Sequence, residues 1–322
     1  MKFSTNLPGL ARWPPAAFAV PGANWQEQLG PDGFKRIVQT ADELGFDSIN
    51  VPEHIVMPTS MVPQMGAMWP DAFTVMAWIA GATSRIVVNS GVIVLPYHQP
   101  VPLAKAIATL DVLTGGRVML TFGAGMARGE FAALGVPFEK RGRIVDEYVA
   151  AMKVLWTEDE PDFVGEFVEF HDVVFEPKPV QRPHPPIIIG GSSIFACRRA
   201  ARIGDGWAPM GAQGGNGPWL NGPEDLPMFL AEARTVPGFV EREAEFQLTL
   251  PALPTRIGPD HTIIDPGFTL TSTQQVIDLV ATVREAGATW TAVPPLEPGA
   301  RSLAEHLEHL EWAATEVIPH FR

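Results

Sequence analysis

Cysteine occurs once in this 322-residue chain, at Cys197. A single thiol cannot close an internal disulfide, so the fold does not depend on oxidation. Cys197 itself reads as a small apolar residue within a helix. Positive charge is scarce: 23 Lys and Arg stand against 36 Asp and Glu, a net charge of −13. That balance excludes the basic footprint needed for nucleic-acid binding and works against anchoring to anionic membranes. Local positive pockets for an anionic cofactor remain compatible with it. Long hydrophobic runs are also missing. The start, Met1-Lys2-Phe3, soon meets Pro8, Gly9, Pro14 and Pro15, and no stretch reaches transmembrane length. The expected location is therefore the cytoplasm. Several chemical signatures are absent: His-Glu-x-x-His, His-x-His near the N-terminus, and the Gly-x-Ser-x-Gly elbow. Metal hydrolysis and serine acyl transfer lose their usual supports. His306 and His309, set among Glu305, Glu308 and Glu311, read as part of an exposed charged helix rather than a metal site.

What is present is a core-forming chain, 46% hydrophobic, in which short apolar runs alternate with helix-period segments. The runs Phe3–Asn6, Ser48–Val51, Ile86–Val94, Val118–Phe122, Ile187–Ile189, Gly206–Ala208, Phe246–Leu250 and Trp290–Val293 lack strict polar alternation. Strands buried on both faces have that character. Phe34, Ile37, Val38, Ala41 and Leu44 share one helical face, as do Ile144, Tyr148, Met152 and Leu155, and Val276, Leu279, Val280 and Val283. A helix–Gly–strand junction recurs at Gly45, Gly204 and Gly287, where glycine is expected to end the helix in a left-handed conformation. Eight strand candidates with interleaved helices favour a single-domain (β/α)8 barrel over a doubly wound sheet. The open sheet also lacks the Gly-rich turn after its first strand. Residues 7–24, 55–70, 160–180 and 210–245 interrupt the alternation. Those at 7–24 and 55–70 follow strands and should overlie the catalytic face. Residues 211–225 have the composition of a lid, and Phe163–Phe175 that of an added hairpin.

Five constellations could carry chemistry. Pro52-Glu53-His54 follows the strand ending at Val51, where a parallel α/β enzyme sets its reactive groups. An imidazole there can donate a proton or hydrogen bond while a carboxylate positions a polar ring; a polar pair bonding loop backbone is the other reading. Ser90-Gly91 interrupts a β-branched strand, suggesting either a barrel bend or a close approach to a ligand. Gly123-Ala124-Gly125 could bring a flat ring near the backbone or simply serve a tight turn. Gly190-Gly191-Ser192-Ser193 opens a helix and offers N–H groups and hydroxyls to an anion, although either serine could be a plain N-cap. Lys140-Arg141-Gly142-Arg143 is a basic knot that could meet a phosphate or form a solvated helix start.

These stretches carry a resemblance. Glu43-Leu44-Gly45-Phe46-Asp47-Ser48 through Pro52-Glu53-His54, Ser90-Gly91-Val92, Gly115-Gly116-Arg117, Gly123-Ala124-Gly125, Gly135-Val136-Pro137-Phe138 with Arg141, Pro185-Pro186-Ile187 through Gly190-Gly191, and Gly204-Asp205-Gly206-Trp207 resemble the luciferase-like monooxygenase superfamily. Within it, the chain is most similar to the coenzyme F420-dependent oxidoreductases. The match runs over roughly residues 40 to 210. The resemblance implies a barrel holding F420, or alternatively FMN, against the strands' C-terminal ends, with a non-proline cis peptide at Gly91-Val92. It further implies Glu53 and His54 as the catalytic pair near the ring, Val94 lining it, and Ala124 and Gly125 approaching it backbone-first. Gly190, Gly191, Ser192, Ser193 and Ile194, with Arg141, would bind the phosphate. Family members are commonly homodimers acting on small molecules. The sugar-phosphate dehydrogenases of the family carry a glutamate where this chain has Met126, which argues against a sugar-phosphate substrate and leaves His54 without a second acid. Met126, Met57, Met61, Met65, Met68 and Trp69 suggest an apolar pocket or a packed lid. The expected activity is hydride transfer between the deazaflavin and an apolar metabolite. The alternatives are an FMN monooxygenase and a cofactor-binding protein without turnover.

Overall fold

Asn6, Asn50 and Asn89 stand opposite one another on neighbouring parallel strands. They belong to β1 (Lys2–Asn6), β2 (Ser48–Val51) and β3 (Val87–Ser90). The computed structural model describes residues 1–7, 25, 29–209, 220, 222–252, 256–257, 263–264, 270–296 and 300–322. Beyond β3 follow β4 (Val118–Gly123), β5 (Ile187–Gly190), β6 (Gly206–Ala208), β7 (Gln247–Leu248) and β8 (Trp290–Ala292), each parallel to the one before as far as β7. β8 pairs with β1. The ring closes between β7 and β8 through a parallel bridge at Thr249 and Trp290, with Leu250 N donating to Trp290 O at 3.0 Å and Thr289 N to Leu248 O at 2.9 Å. The result is the expected (β/α)8 barrel, with a strand within each of the eight sequence-read runs.

Side-chain parity divides the apolar residues between two sides. Ile49, Val51, Val88, Leu120, Phe122, Ile187 and Ile189 join the large core against the helices. Val87, Met119, Ile188, Ala208 and Trp290 form a separate cluster in the lumen. The helices are α1 (Pro31–Glu43), α2 (Ala72–Ala82), α3 (Pro100–Thr114), α4 (Arg128–Leu134), α5 (Arg141–Thr157), α6 (Ile194–Ile203), α7 (Leu226–Ala233), α8 (Thr273–Glu285) and α9 (Leu303–Trp312). Among the described residues no helix is long and apolar enough to cross a membrane.

The upper lumen is polar. Thr121 Oγ1 donates to Asn89 Oδ1 (3.1 Å), Asn89 Nδ2 to Asn50 Oδ1 (2.9 Å), and Asn50 Nδ2 to Asn6 Oδ1 (3.1 Å). Four neighbouring strands thus share one hydrogen-bonded ladder below the C-terminal mouth. These bonds give the buried Asn89 amide partners on both sides.

Some local expectations change. The run Ile86–Val94 is not one strand: β3 stops at Ser90, a cis peptide joins Gly91 to Val92, and Ile93–Val94 pairs with β4 instead. Gly45 and Gly287 have φ of 81° and 104°, as expected of helix ends, but Gly204 is extended at −100°. Crowding explains Gly204, since a Cβ there would lie 2.9 Å from Ile189 Cγ1 and 3.1 Å from Gly206 O. Segment 55–70 is a packed flap with short helical turns at Thr59–Met61 and Val62–Met65. The hairpin is present as Phe163–Val164 against Glu169–Phe170. Residues 8–24, and 211–219 and 221 of the expected lid, lie outside the described residues.

Candidate active site

Four elements converge at the C-terminal mouth: the end of β2, the turn after β3, the end of β4 and the start of α4. Gly91 N donates to Val51 O at 2.7 Å, tying the cis bulge to the end of β2. Gly91 lies over the ladder, since a Cβ on it would stand 2.9 Å from Asn50 Cβ. Val92 then reaches across the neighbouring strands. Its methyl groups occupy the space where Cβ atoms of Gly123 and Gly190 would be, at 2.8 and 2.7 Å. Val94 Cγ1 and the Phe131 ring likewise fill the Cβ position of Gly125, at 2.6 and 2.7 Å. Glycine at 123, 125 and 190 is therefore required by the packing of Val92, Val94 and Phe131.

Glu53 and His54 are adjacent in sequence but engage different partners. Glu53 is buried, 4% exposed. Its Oε2 accepts the Val94 N–H at 2.8 Å, and its Oε1 pairs with His98 Nε2 at 2.9 Å. It fixes the strand segment after the bulge and does not orient His54. That corrects the expectation that the two act as a pair. His54 Nδ1 instead meets Glu130 Oε2 at 2.9 Å. Glu130 sits on α4, is fully buried, and also accepts from Ile55 N (2.6 Å), Val56 N (3.2 Å) and Tyr97 Oη (2.9 Å). Burial alone would raise its pKa, but the His54 bond and charge, with the Ile55 and Tyr97 bonds, hold it below the ordinary carboxylate value. Tyr97 is pushed far up, first by burial and then by Glu130 and Glu53, so it stays a hydroxyl donor.

The expectation of no second acid after the fourth strand is thus overturned. Met126 does occupy the place read from the sequence, yet Glu130 brings a carboxylate to His54 from four residues further on. A signal existed: Ala127, Glu130, Phe131 and Leu134 share one helical stripe, and a glutamate among apolar neighbours asks for a partner. Tyr97 and His98 carry no comparable signal in the sequence.

Apolar residues close the site. Trp69 lies edge-on to His54 with ring centroids 4.5 Å apart. Met61, Met65 and Ala127 form a buried cluster with Met57, Trp69 and Met126 packed against it. Met68 departs from the expected pocket, at 53% exposed.

The turn after β5 is well defined. Gly191 has a φ of 123° and leads through buried Ser192 to Ser193, the N-cap of α6, whose Oγ accepts from Ala196 N at 3.2 Å. The Ser193 hydroxyl is therefore spent on the cap, while the first N–H groups of α6, including that of Ile194, point out of the helix end. Arg141 stands at the start of α5, its guanidinium 3.8 Å from the Phe138 ring centre and donating to Phe138 O at 3.0 Å. Desolvation first, then the repulsion of Arg128, lower its pKa, with the Glu139 carboxylate opposing them. The next residue, Gly142, lies against the Arg199 guanidinium of α6, so Arg141 flanks the helix bearing the turn. Ala124, the remaining expected contact, is partly buried and packs on the main core.

The luciferase-like monooxygenase family model matches residues 16–216. The FMNH(2)-dependent dimethylsulfone monooxygenase of Pseudomonas putida is 37% identical over 178 residues, 54% of this chain and 47% of that protein. The F420-dependent glucose-6-phosphate dehydrogenase of Amycolatopsis mediterranei (strain U-32) is 31% identical over 192 residues, 58% of this chain and 56% of that one. The chain thus spans about half the length of both relatives. The crystal structure of monooxygenase RslO1 from Streptomyces bottropensis superposes with a TM-score of 0.71 at 21% identity, covering 100% of both chains. With the barrel, the cis bulge and the matched residues all in agreement, the chain belongs to the luciferase-like monooxygenase family.

Proposed function

We propose that the protein is an oxidoreductase that uses coenzyme F420 to exchange a hydride with a small, largely apolar molecule. The observation that carries this reading is His54, held by Glu130 at 2.9 Å beside the Gly91-Val92 bulge and walled by Trp69 and methionines. Hydride exchange at a hydroxyl or carbonyl carbon also needs a group that takes or returns a proton, and His54 suits that role. The residues present fit a flavin-like cofactor: the N-terminus of α6, opening at Ile194, presents its first N–H groups to a phosphate, and Arg141 offers a cation nearby. The bulge, fixed through Val94 by Glu53, would support a flat ring. When bound, the deazaflavin supplies the hydride chemistry. The chain's part is to orient it, exclude water with the 55–70 flap, and move the proton at His54.

An FMN-dependent monooxygenase is the second reading, favoured by the 37% identity to the dimethylsulfone enzyme. Titrating the apo-protein with F420 and with FMN, followed by fluorescence, separates the two. The expected result is saturable F420 binding and substrate-dependent turnover, with His54→Ala keeping the binding but losing about 100-fold or more in kcat. Saturable FMN binding without F420 binding would favour the second reading. F420 binding with no turnover across alcohols and carbonyl compounds would make the protein a carrier. Full activity in His54→Ala would remove the role given to His54.

A further inference from the structure

We propose that Glu130 is the positioning residue of this site: whenever the His54 ring carries a single proton, Glu130 holds that proton on Nδ1, leaving Nε2 as the atom that exchanges the substrate's proton. The inference rests on the proton role given to His54 and assigns the group that sets its tautomer. An ionised carboxylate only accepts hydrogen bonds, and its two oxygens offer about four lone-pair positions. At Glu130 all four are met: Ile55 N and Val56 N at Oε1, Tyr97 Oη and His54 Nδ1 at Oε2. With complete burial and four donors, the side chain has no freedom to turn away. A neutral imidazole facing such an oxygen must present N–H from Nδ1, so its lone pair lies on Nε2. Tyr97, kept protonated by burial and by Glu130, donates to Oε2 and reinforces its acceptor role. Glu53 cannot substitute, because its oxygens are committed to Val94 N and His98. When an alcohol is oxidised, the carbinol hydrogen would leave as hydride to the oxidised deazaflavin named above, the O–H proton would pass to Nε2, and the C=O bond would form. Reduction runs the same transfers backwards.

Glu130 also anchors the flap backbone at Ile55 and Val56, so the experiment must separate positioning from anchoring. Glu130→Gln does so by a bond-counting argument. Only the carbonyl oxygen of glutamine can accept the two backbone N–H groups, so that oxygen stays at the Ile55 side and the NH2 turns toward His54. The NH2 donates to Nδ1, which must then carry the lone pair, and the proton moves to Nε2. Nitrogen-15 NMR of histidine-labelled apo-protein, at a pH where the ring is neutral, reads this directly. The expected result is Nδ1–H in the wild type and in Tyr97→Phe, and Nε2–H in Glu130→Gln. Turnover in Glu130→Gln should fall by up to about 10^4-fold, the order seen when a catalytic histidine is held in the wrong tautomer, with cofactor affinity unchanged. A wild-type ring in the Nε2–H form overturns the proposal, and needs no variant to fold. So does an unchanged tautomer in Glu130→Gln. A reversed tautomer with undiminished turnover upholds the positioning and overturns instead the proton role of His54.

Discussion

At Asp42 one carboxylate gathers four bonds. Oδ2 accepts from Ser84 N at 2.8 Å and Ser84 Oγ at 3.1 Å, while Oδ1 accepts from Arg85 N at 2.9 Å and Ile86 N at 2.7 Å. The last residue but one of α1 therefore sets the entry to β3. Asp42→Ala should lower the unfolding free energy by about 3 kcal/mol, because three backbone N–H groups lose their acceptor; a shift in the urea midpoint would measure it. Burial raises this carboxyl's pKa, but the bonds from Ser84, Ile86 and Arg85 lower it further than burial lifts it. The contribution is thus present above the unfolded value of about 3.9 and lost as pH falls through the folded one, so the gap between Asp42→Ala and wild type should narrow below about pH 3.9. What the sequence reveals about single residues follows their spacing. Glu53 and His54 can be singled out because they are neighbours at a strand end. Glu130 is 76 positions from His54, and nothing local links them. Even the neighbours mislead, since Glu53 serves Val94 and His98 while His54 meets Glu130.

Helix α9 shows what an element hides on its inner side. Glu305, Glu308 and Glu311 are exposed, as the sequence suggests, but His306 and His309 turn inward. His306 lies tilted 5.6 Å from the Trp25 ring, and His309 5.3 Å from Trp312. Burial pushes both pKa values down to about 4, with His309 adding to the effect at His306. A base whose folded pKa is depressed is neutral in the native state, and the unfolded chain takes up the extra proton below about 6.5. Stability should therefore fall as pH drops from about 6.5 toward about 4, and His309→Phe should remove part of that slope in urea midpoints taken across the range. Period and glycine stops reveal the helices and most strand bounds. They do not reveal a backbone that folds back on itself within one apolar run. Ile86–Val94 has the composition of a continuous strand, yet after the last rung, Gly91 N to Val51 O, the chain leaves β2 and Ile93–Val94 pairs with β4.

Over the whole molecule, the closure of the barrel is matched by a clasp beneath it. Phe321 is buried with its ring 6.0 Å from Phe3, the Met1 ammonium donates to Phe321 O at 3.3 Å, and Arg322 reaches Asp47 at 3.5 Å. Removing residues 318–322 strips Ile318 and Phe321 from the base of the barrel and should cost at least about 3 kcal/mol, the usual price of losing one buried aromatic; guanidinium unfolding would measure it. The barrel as a whole is readable because eight buried strands and their helices repeat one pattern. The site is less so, because its parts are brought together by closure rather than by sequence.

Closure also gives the asparagine ladder a second consequence. Its members are consecutive steps around one turn of the barrel, and each is flanked in its own strand by residues that cannot take its place: Thr5 and Leu7, Ile49 and Val51, Val88 and Ser90. A slip of one residue at any of these strands would turn an amide outward and bury an apolar or mismatched side chain in the lumen. The rungs Thr121, Asn89, Asn50 and Asn6 therefore work as a vernier: they line up only when all four strands are in step, and that alignment is what sets the height of the bulge above them.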